Sequence, residues 1–418
     1  MRVAELLGAL RERDFRLLWA GQTTSALGNA VVPVALAFAV LDLTGSASDL
    51  GLVLAAHTVP LVAFLLVGGV WADRLPRQLV MVASDVVRGG AHATIAVLLL
   101  SGTAEIWHLA VLSAIFGTAE AFFQPAYTGV VPATLPPERL QQGNALMGLS
   151  SSGAFVAGPA IAGTLVALVG PWAAFAFDAC TFAASATCLL ALNLPRIARA
   201  SRETFLHELA GGWREFTAHT WLWTIVVWAG GYLFAVVAPF MVLGPLVAKE
   251  ELGGASSWAT IASSWALGAL GGGALALRWR PARPMLVCCS LVYFVMIPMS
   301  LLALAAPTPA IAAGQLVAGC LMGFFMAVWA TTLQQHVPED KLSRVSAYDW
   351  MGSLAFLPLG YVFAGPLSDA IGVSTTLWLS VAFIGVSTTA ILLVPGVREL
   401  RRIDAPPEAP ALPAPASA

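Results

Sequence analysis

Apolar residues run through this chain in long blocks, and polar residues collect in short clusters between them. A helix needs about 20 largely apolar residues to cross a bilayer. Twelve stretches meet that length, at 16–41, 48–71, 79–101, 106–131, 141–168, 172–192, 221–247, 257–279, 284–305, 310–334, 344–369 and 374–394. The longest polar break, 192–220, follows the sixth stretch and divides the pattern into six plus six. The pattern predicts an all-α membrane protein with two six-helix bundles, 1–192 and 221–396. A linker at 193–220 joins them, and a Pro/Ala-rich disordered tail follows at 397–418. The first residues lack the cleavage site of a secretory signal, and Glu5 to Asp14 read as a short surface helix.

The two halves repeat at an offset of 202 residues. Pro136, Glu138, Arg139 and Leu140 match Pro338, Asp340, Lys341 and Leu342. Gly117, Gly158, Gly163 and Gly170 match Gly319, Gly360, Gly365 and Gly372. Parallel repeats of this kind mark transporters whose site lies between the halves near the bilayer midplane.

Composition supports the same solvent. Only 11% of residues are charged and 58% are hydrophobic, against about 25% charged in soluble domains. A net charge of −2 offers no basic patch for nucleic acid. The five cysteines (Cys180, Cys188, Cys288, Cys289 and Cys320) lie inside apolar runs, which suits packing rather than a disulfide framework or a zinc site. All but two of the 21 lysines and arginines fall on one side of the predicted spans, Arg88 and Lys249 being the exceptions. Cytoplasmic loops carry the positive charge, so both termini are expected in the cytoplasm, with the chain in the plasma membrane. The partners implied are lipid, a small molecule and protons. No cofactor is implied, no G-x-x-x-x-G-K-[ST] phosphate loop is present, and a monomer is expected.

Three charges are packed into five residues between two apolar blocks in LVGGVWADRLPRQLV. Its spacing, Gly69-x-x-x-Asp73-Arg74-x-Pro76-Arg77 after the second span, resembles the signature loop of the major facilitator superfamily. FVAGPAIAG, with Gly158, Pro159 and Gly163, resembles the Gly-Pro motif of that family's drug–proton antiporters, although the fuller motif carries more glycines. FRLLW, SALGN, LTGS and the Asp-Arg loop resemble bacterial exporters that include enterobactin-type siderophore exporters and macrolide efflux proteins. Members often have aspartate where this chain has Asn29. The resemblance implies a twelve-helix fold, alternating access, a cavity lined by spans 1, 4, 7 and 10, and proton-driven export. An uptake permease for sugars or other nutrients and a non-transporting membrane sensor or scaffold stay open as alternatives.

Ionisable residues inside a span are costly and therefore functional candidates. Glu120 stands mid-way along the fourth span, and helical spacing puts Phe116, Phe123, Gln124 and Tyr127 on its face. A carboxyl among aromatics and an amide suits proton carriage beside an amphipathic substrate. Gln22, Ser25, Asn29, Trp228, Tyr232, Gln315, Met322 and Met326 are the other cavity candidates. Asp85 and Arg88 are assigned with the charged loop to a cytoplasmic gate, and Asp349 to a helix cap or to the Arg77 region. Asp178 is expected to make an interhelical hydrogen bond, and His57 and His92 are further titratable groups. Gly158, Pro159 and Gly163 are expected where the halves meet.

Overall fold

The computed structural model describes residues 7–193 and 213–403, with the side chains of 7, 66–74, 339–340 and 343–344 outside the description. The gate assignments at Gly69, Asp73 and Arg74 therefore fall outside it as side chains, as do most of the linker and the end of the tail. Backbone groups have no water to bond in hydrocarbon, so a spanning chain must satisfy them within helices. Twelve helices are long and apolar enough to cross a membrane. They are α1 (Arg13–Thr44), α2 (Ala47–Arg74), α3 (Arg77–Ser101), α4 (Ile106–Val130), α5 (Leu140–Leu168) and α6 (Pro171–Leu190). The second half contributes α7 (Thr220–Glu251), α8 (Ala255–Arg278), α9 (Pro284–Ala303), α10 (Thr308–His336), α11 (Val345–Ile371) and α12 (Val373–Leu392). A π-turn at Leu233–Val237 interrupts α7 immediately after Tyr232. Before α1, Leu7–Arg11 form a 3-10 helix, while Glu5 and Leu6 of the short helix expected over Glu5 to Asp14 lie outside the described residues.

Within the first half, α1 packs on α5 and α6, α3 on α4 and α6, and α2 on α4. In the second half, α8 packs on α10 and α9 on α12. The halves meet along two helix pairs, α2 with α11 and α5 with α8. The 202-residue repeat explains this pairing. Gly163 of α5 receives the Cβ of Ala259 from α8, and its repeat mate Gly365 of α11 receives Ser48 from α2. Small residues allow such close approach where helices have no hydrophobic drive to associate in lipid. Gly170 and Gly372, also repeat mates, open α6 and α12 with φ of 110° and 91°, a backbone region that favours glycine.

Alternating span direction puts the loops after α2, α4, α8 and α10, with most of the described basic residues, at one end of the bundle. The described junctions between the halves sit toward the other end. There Lys249 Nζ reaches Asp42 Oδ1 and the Leu41 carbonyl, both at 2.6 Å. Ser48 Oγ donates to Asp369 Oδ2 at 2.8 Å. Mid-way, Phe155 and Trp265 pack edge to face. Toward the arginine-rich end Leu149 of α5 and Trp350 of α11 are each 65% exposed. Among the described residues, the side-chain hydrogen bonds that join the halves gather at the end opposite the arginines.

The linker residues that are described belong with the second half. Trp213 and Phe216 pack on Tyr348, and Glu215 accepts a 2.7 Å bond from Lys341 Nζ. The described start of the tail is also held, by Arg402 N donating to the Ala282 carbonyl.

Candidate functional site

Glu120 lies fourteen residues along α4, about 21 Å from its start at 1.5 Å per residue, and so near the middle of the span. Its Oε2 is 3.0 Å from Nε2 of His57 on α2. Both side chains keep partial exposure, 25% for Glu120 and 31% for His57. A glycine makes the approach possible: a Cβ on Gly117 would overlap the His57 carbonyl oxygen. The repeat mate Gly319 meets the carbonyl of Trp265 in the same way. His57 and Trp265 are thus equivalent, as are Glu120 and Met322. The acid–imidazole pair of the first half has only a tryptophan and a methionine as its counterpart.

Behind this pair the first half holds a dry polar cluster. Arg88 Nη2 donates to Asp85 Oδ1 at 2.5 Å, with side-chain exposures of 3% and 0%. The guanidinium carbon lies 4.1 Å from the ring centre of Phe123 and 4.5 Å from that of Phe182. His92 Nδ1 sits 2.6 Å from Asp178 Oδ2 on α6, again with almost no exposure. The imidazole of His92 stacks on Phe116 with ring centres 4.3 Å apart, and Phe116 also contacts the His57 ring at 5.7 Å. Phe116 therefore joins the two acid–imidazole pairs. Glu120, His57, Asp85, Arg88, His92 and Asp178 form one connected site spread over α2, α3, α4 and α6.

This corrects the placement of Asp85 and Arg88 beside the charged loop. They stand eight and eleven residues beyond Arg77, about 12 and 16 Å along α3, and face the bundle interior. The loop's own Arg77 donates from Nη1 to the Gly129 carbonyl at 3.1 Å, at the end of α4 in the same half. Pro76 is exposed next to it and caps α3. Asp349 accepts a 2.9 Å bond from Trp329 Nε1, so it ties α11 to α10 rather than to the Arg77 region.

The proposed cavity residues divide. Gln124 and Met326 are exposed, and Asn29, Tyr127, Trp228 and Tyr232 are partly so. Tyr127 stacks on Phe123, while Trp228 lies against Tyr232 and Phe325 and donates to Ser387 Oγ at 3.3 Å. Phe116 and Phe123 are buried around Arg88 and His92, and Ser25 and Gln315 are buried as well. Gln22 turns toward α6, where its Nε2 donates to Ser185 Oγ at 3.2 Å. Met322 lies in a crevice with Cys288, Leu291 and Phe325, inside the second half. Of the Gly-Pro motif, Gly163 meets the other half, whereas Gly158 is pressed against Ala30 of α1 in its own half.

Sequence reasoning missed three relationships: the His57–Glu120 bond, the coupling through Phe116, and the aromatic box around Arg88. The available signal was the count of ionisable residues in spans 2, 3, 4 and 6, all within the first half.

The Major Facilitator Superfamily profile matches residues 18–354. Macrolide efflux protein A of Streptococcus pyogenes is 24% identical over 93% of this chain and 97% of its own. The multidrug efflux pump Tap of Mycolicibacterium fortuitum is 28% identical over 92% of this chain and 96% of its own. Among solved structures, a bacterial homologue of the human lysosomal transporter Spinster, inward-facing and occupied, superposes with a TM-score of 0.73. It is 15% identical, and the match covers 94% of this chain and 99% of that one. With its twelve spans, repeated halves and intramembrane charge site, the chain belongs to the major facilitator superfamily and is a membrane transporter, not an enzyme.

Proposed function

We propose that this transporter exports small amphipathic organic molecules, driven by protons that bind at the Glu120–His57 pair. The observation that carries the reading is the pair itself. A carboxylate at mid-span is expensive, by roughly 2.5–3.5 kcal/mol even on mild scales, and this one is neither lost to the interior nor free of a partner. Partial exposure gives Glu120 an aqueous route, and His57 Nε2 stands within hydrogen-bond reach of its carboxylate. Positive-inside placement makes the arginine-rich end cytoplasmic, so cargo enters the cycle from that end. The partly exposed aromatics Tyr127 on α4 and Trp228 and Tyr232 on α7 suit flat apolar cargo with a positive or polar edge. Export as the direction rests on the two efflux proteins aligned along nearly the whole chain. The transporter acts as a monomer, because one chain supplies both halves of the twelve-helix fold.

In the cycle that follows, a proton entering from outside neutralises the Glu120 site as cargo leaves. The halves then rock back, and the proton is released to the cytoplasm. Arg77 and its loop limit access at the cytoplasmic end. The test is transport of the fluorescent cation ethidium in proteoliposomes across an imposed pH gradient. Wild-type protein should move ethidium uphill, and Glu120→Gln should abolish the gradient dependence. Uphill transport by Glu120→Gln with wild-type proton dependence would overturn the carrier role. Accumulation in whole cells that an uncoupler abolishes would instead identify an uptake permease.

A further inference from the structure

The 202-residue repeat recurs where the chain enters two of its spans. Arg139 and Lys341 are repeat mates, one immediately before α5 and the other in the first turn of the helix Glu339–Leu354 that becomes α11. A cation is disfavoured at a helix N-terminus, so each needs an acid nearby. Each finds it in the segment that leads into the first span of its own half. Before α1, Arg139 Nη1 donates to Glu12 Oε1 at 2.6 Å and to the Gly8 carbonyl at 3.3 Å. Before α7, Lys341 Nζ donates to Glu215 Oε2 at 2.7 Å.

A buried aromatic accompanies each acid. Phe15 is fully buried in one cluster with Leu146 of α5, and its ring closes over Gly143 of the same helix. Phe216 is buried against Tyr348 of α11, with ring centres 5.9 Å apart. Leu146 and Tyr348 are repeat mates as well. The acids are 203 residues apart, from 12 to 215, so a gapless offset passes over the pairing.

We infer that Leu7–Glu12 and 213–219 are equivalent straps, and that the pairs Glu12–Arg139 and Glu215–Lys341 position α5 and α11 for the transport cycle. Through these two helices each half meets the other, α5 on α8 and α11 on α2. The contact glycines, Gly163 and Gly365, lie far along them from the straps. The 23 residues from Leu140 to Gly163 span about 35 Å. Each helix is thus held at one end to its own half and farther along to the opposite half. Transport in such folds is largely a rocking of one bundle against the other. The strap obliges the start of α5 to travel with α1, and the start of α11 to travel with α7. Both pairs are partly exposed, so they direct the helix starts rather than hold the fold together.

The straps differ in reach. α5 is continuous from Leu140 to Leu168, whereas α11 is interrupted between Leu354 and Leu357. The first strap therefore governs all of α5, and the second governs α11 only as far as that break. Both act whatever the cargo, and independently of Glu120.

Electron–electron resonance in nanodiscs reads this without a substrate. Spin labels at Gln141 on α5 and, separately, at Thr24 on α1 are each measured against Arg278 at the end of α8, all three being exposed. Arg139→Glu sets two carboxylates together. It should broaden the distances from Gln141 and leave those from Thr24 unchanged. Glu12→Arg combined with Arg139→Glu restores the pair and should recover the narrow distribution. Should Arg139→Glu fail to fold, Arg139→Gln takes its place and should raise the displaced population by up to about fivefold. An unchanged Gln141 distribution, or a swapped pair that recovers nothing, would overturn the positioning role. Equal broadening at Thr24 would overturn it too, by showing that the half had loosened as a whole. In the second half, Lys341→Glu should broaden distances from Trp350 to Thr24 and spare those from Phe363, beyond the break. Broadening at Phe363 would overturn the difference in reach.

Discussion

Lys249 Nζ lies 2.6 Å from Asp42 Oδ1 and so ties the second half to the first at the end opposite the arginines. Lys249 is also one of the two basic residues that break the positive-inside pattern, and this contact accounts for it. The pair is partly exposed, at 33% and 51%, so it contributes at most about 1 kcal/mol. Lys249→Ala should therefore raise the population parted at this end by up to about fivefold, without unfolding the protein. Electron–electron resonance distances between spin labels at Thr44 and Glu251, both exposed at this end, would report a longer component. An unchanged distance distribution would show that glycine packing alone holds the end closed.

That packing is separately testable. Gly163 receives the Cβ of Ala259 across the α5–α8 interface. Gly163→Ala puts two methyl groups in one space and should cost about 1–3 kcal/mol in this conformation. Gly163→Ala combined with Ala259→Gly moves the methyl from one helix to the other and should recover much of the loss. Thermal melting and the same spin-label distance would be read together. Failure of the double variant to improve on the single one would mean that the contact is not what limits approach.

At the arginine-rich end, the Lys341 ammonium and then His219 hold the Glu215 carboxyl below the usual carboxylate range. Its folded-state pKa is depressed, so the stability it contributes is present above the unfolded value of about 4.3 and is lost as pH falls through the lower folded value. Glu215→Gln should consequently lower the melting temperature near neutrality, and its effect should fade as pH falls through the depressed folded-state value. The two melting curves, measured against pH, should converge on the acid side. A constant gap would assign the effect to packing around Trp213 and Phe216 instead.

How far the sequence reached differs between fold and site. Span number, the six-plus-six division and the repeat were legible because each depends on one-dimensional signals: length, apolarity and the spacing of Gly and Pro. Gly163 and Gly365 could be matched in sequence, and the structure shows both meeting the opposite half. Glu120 was legible as a costly charge at mid-span. Its partner was not, because His57 is 63 residues away on another helix and its rotation has no sequence signal. Arg88 was misplaced for a related reason. Proximity along the chain to Arg77 suggested a shared loop, whereas the 1.5 Å rise of a helix carries it deep into the bundle, where Phe123 and Phe182 enclose it.

Asp349 gives the last prediction, because its true partner differs from the one its position along the chain suggests. Trp329 Nε1 donates to Asp349 Oδ2 at 2.9 Å and fastens α10 to α11 toward the arginine-rich end. Removing the two partners should have unequal effects. Asp349→Asn keeps an oxygen to accept the indole proton and takes away a charge, so it should be nearly neutral for stability. Trp329→Phe keeps the aromatic contacts with Trp221 and Phe325 in kind but leaves the Asp349 carboxylate without its donor. A stranded polar group costs about 1–3 kcal/mol, and more when charged. Trp329→Phe should thus lower the melting temperature clearly more than Asp349→Asn, and adding Asp349→Asn to it should restore part of the loss. Equal effects of the two single variants would mean that water already serves the carboxylate and that the indole contributes only packing.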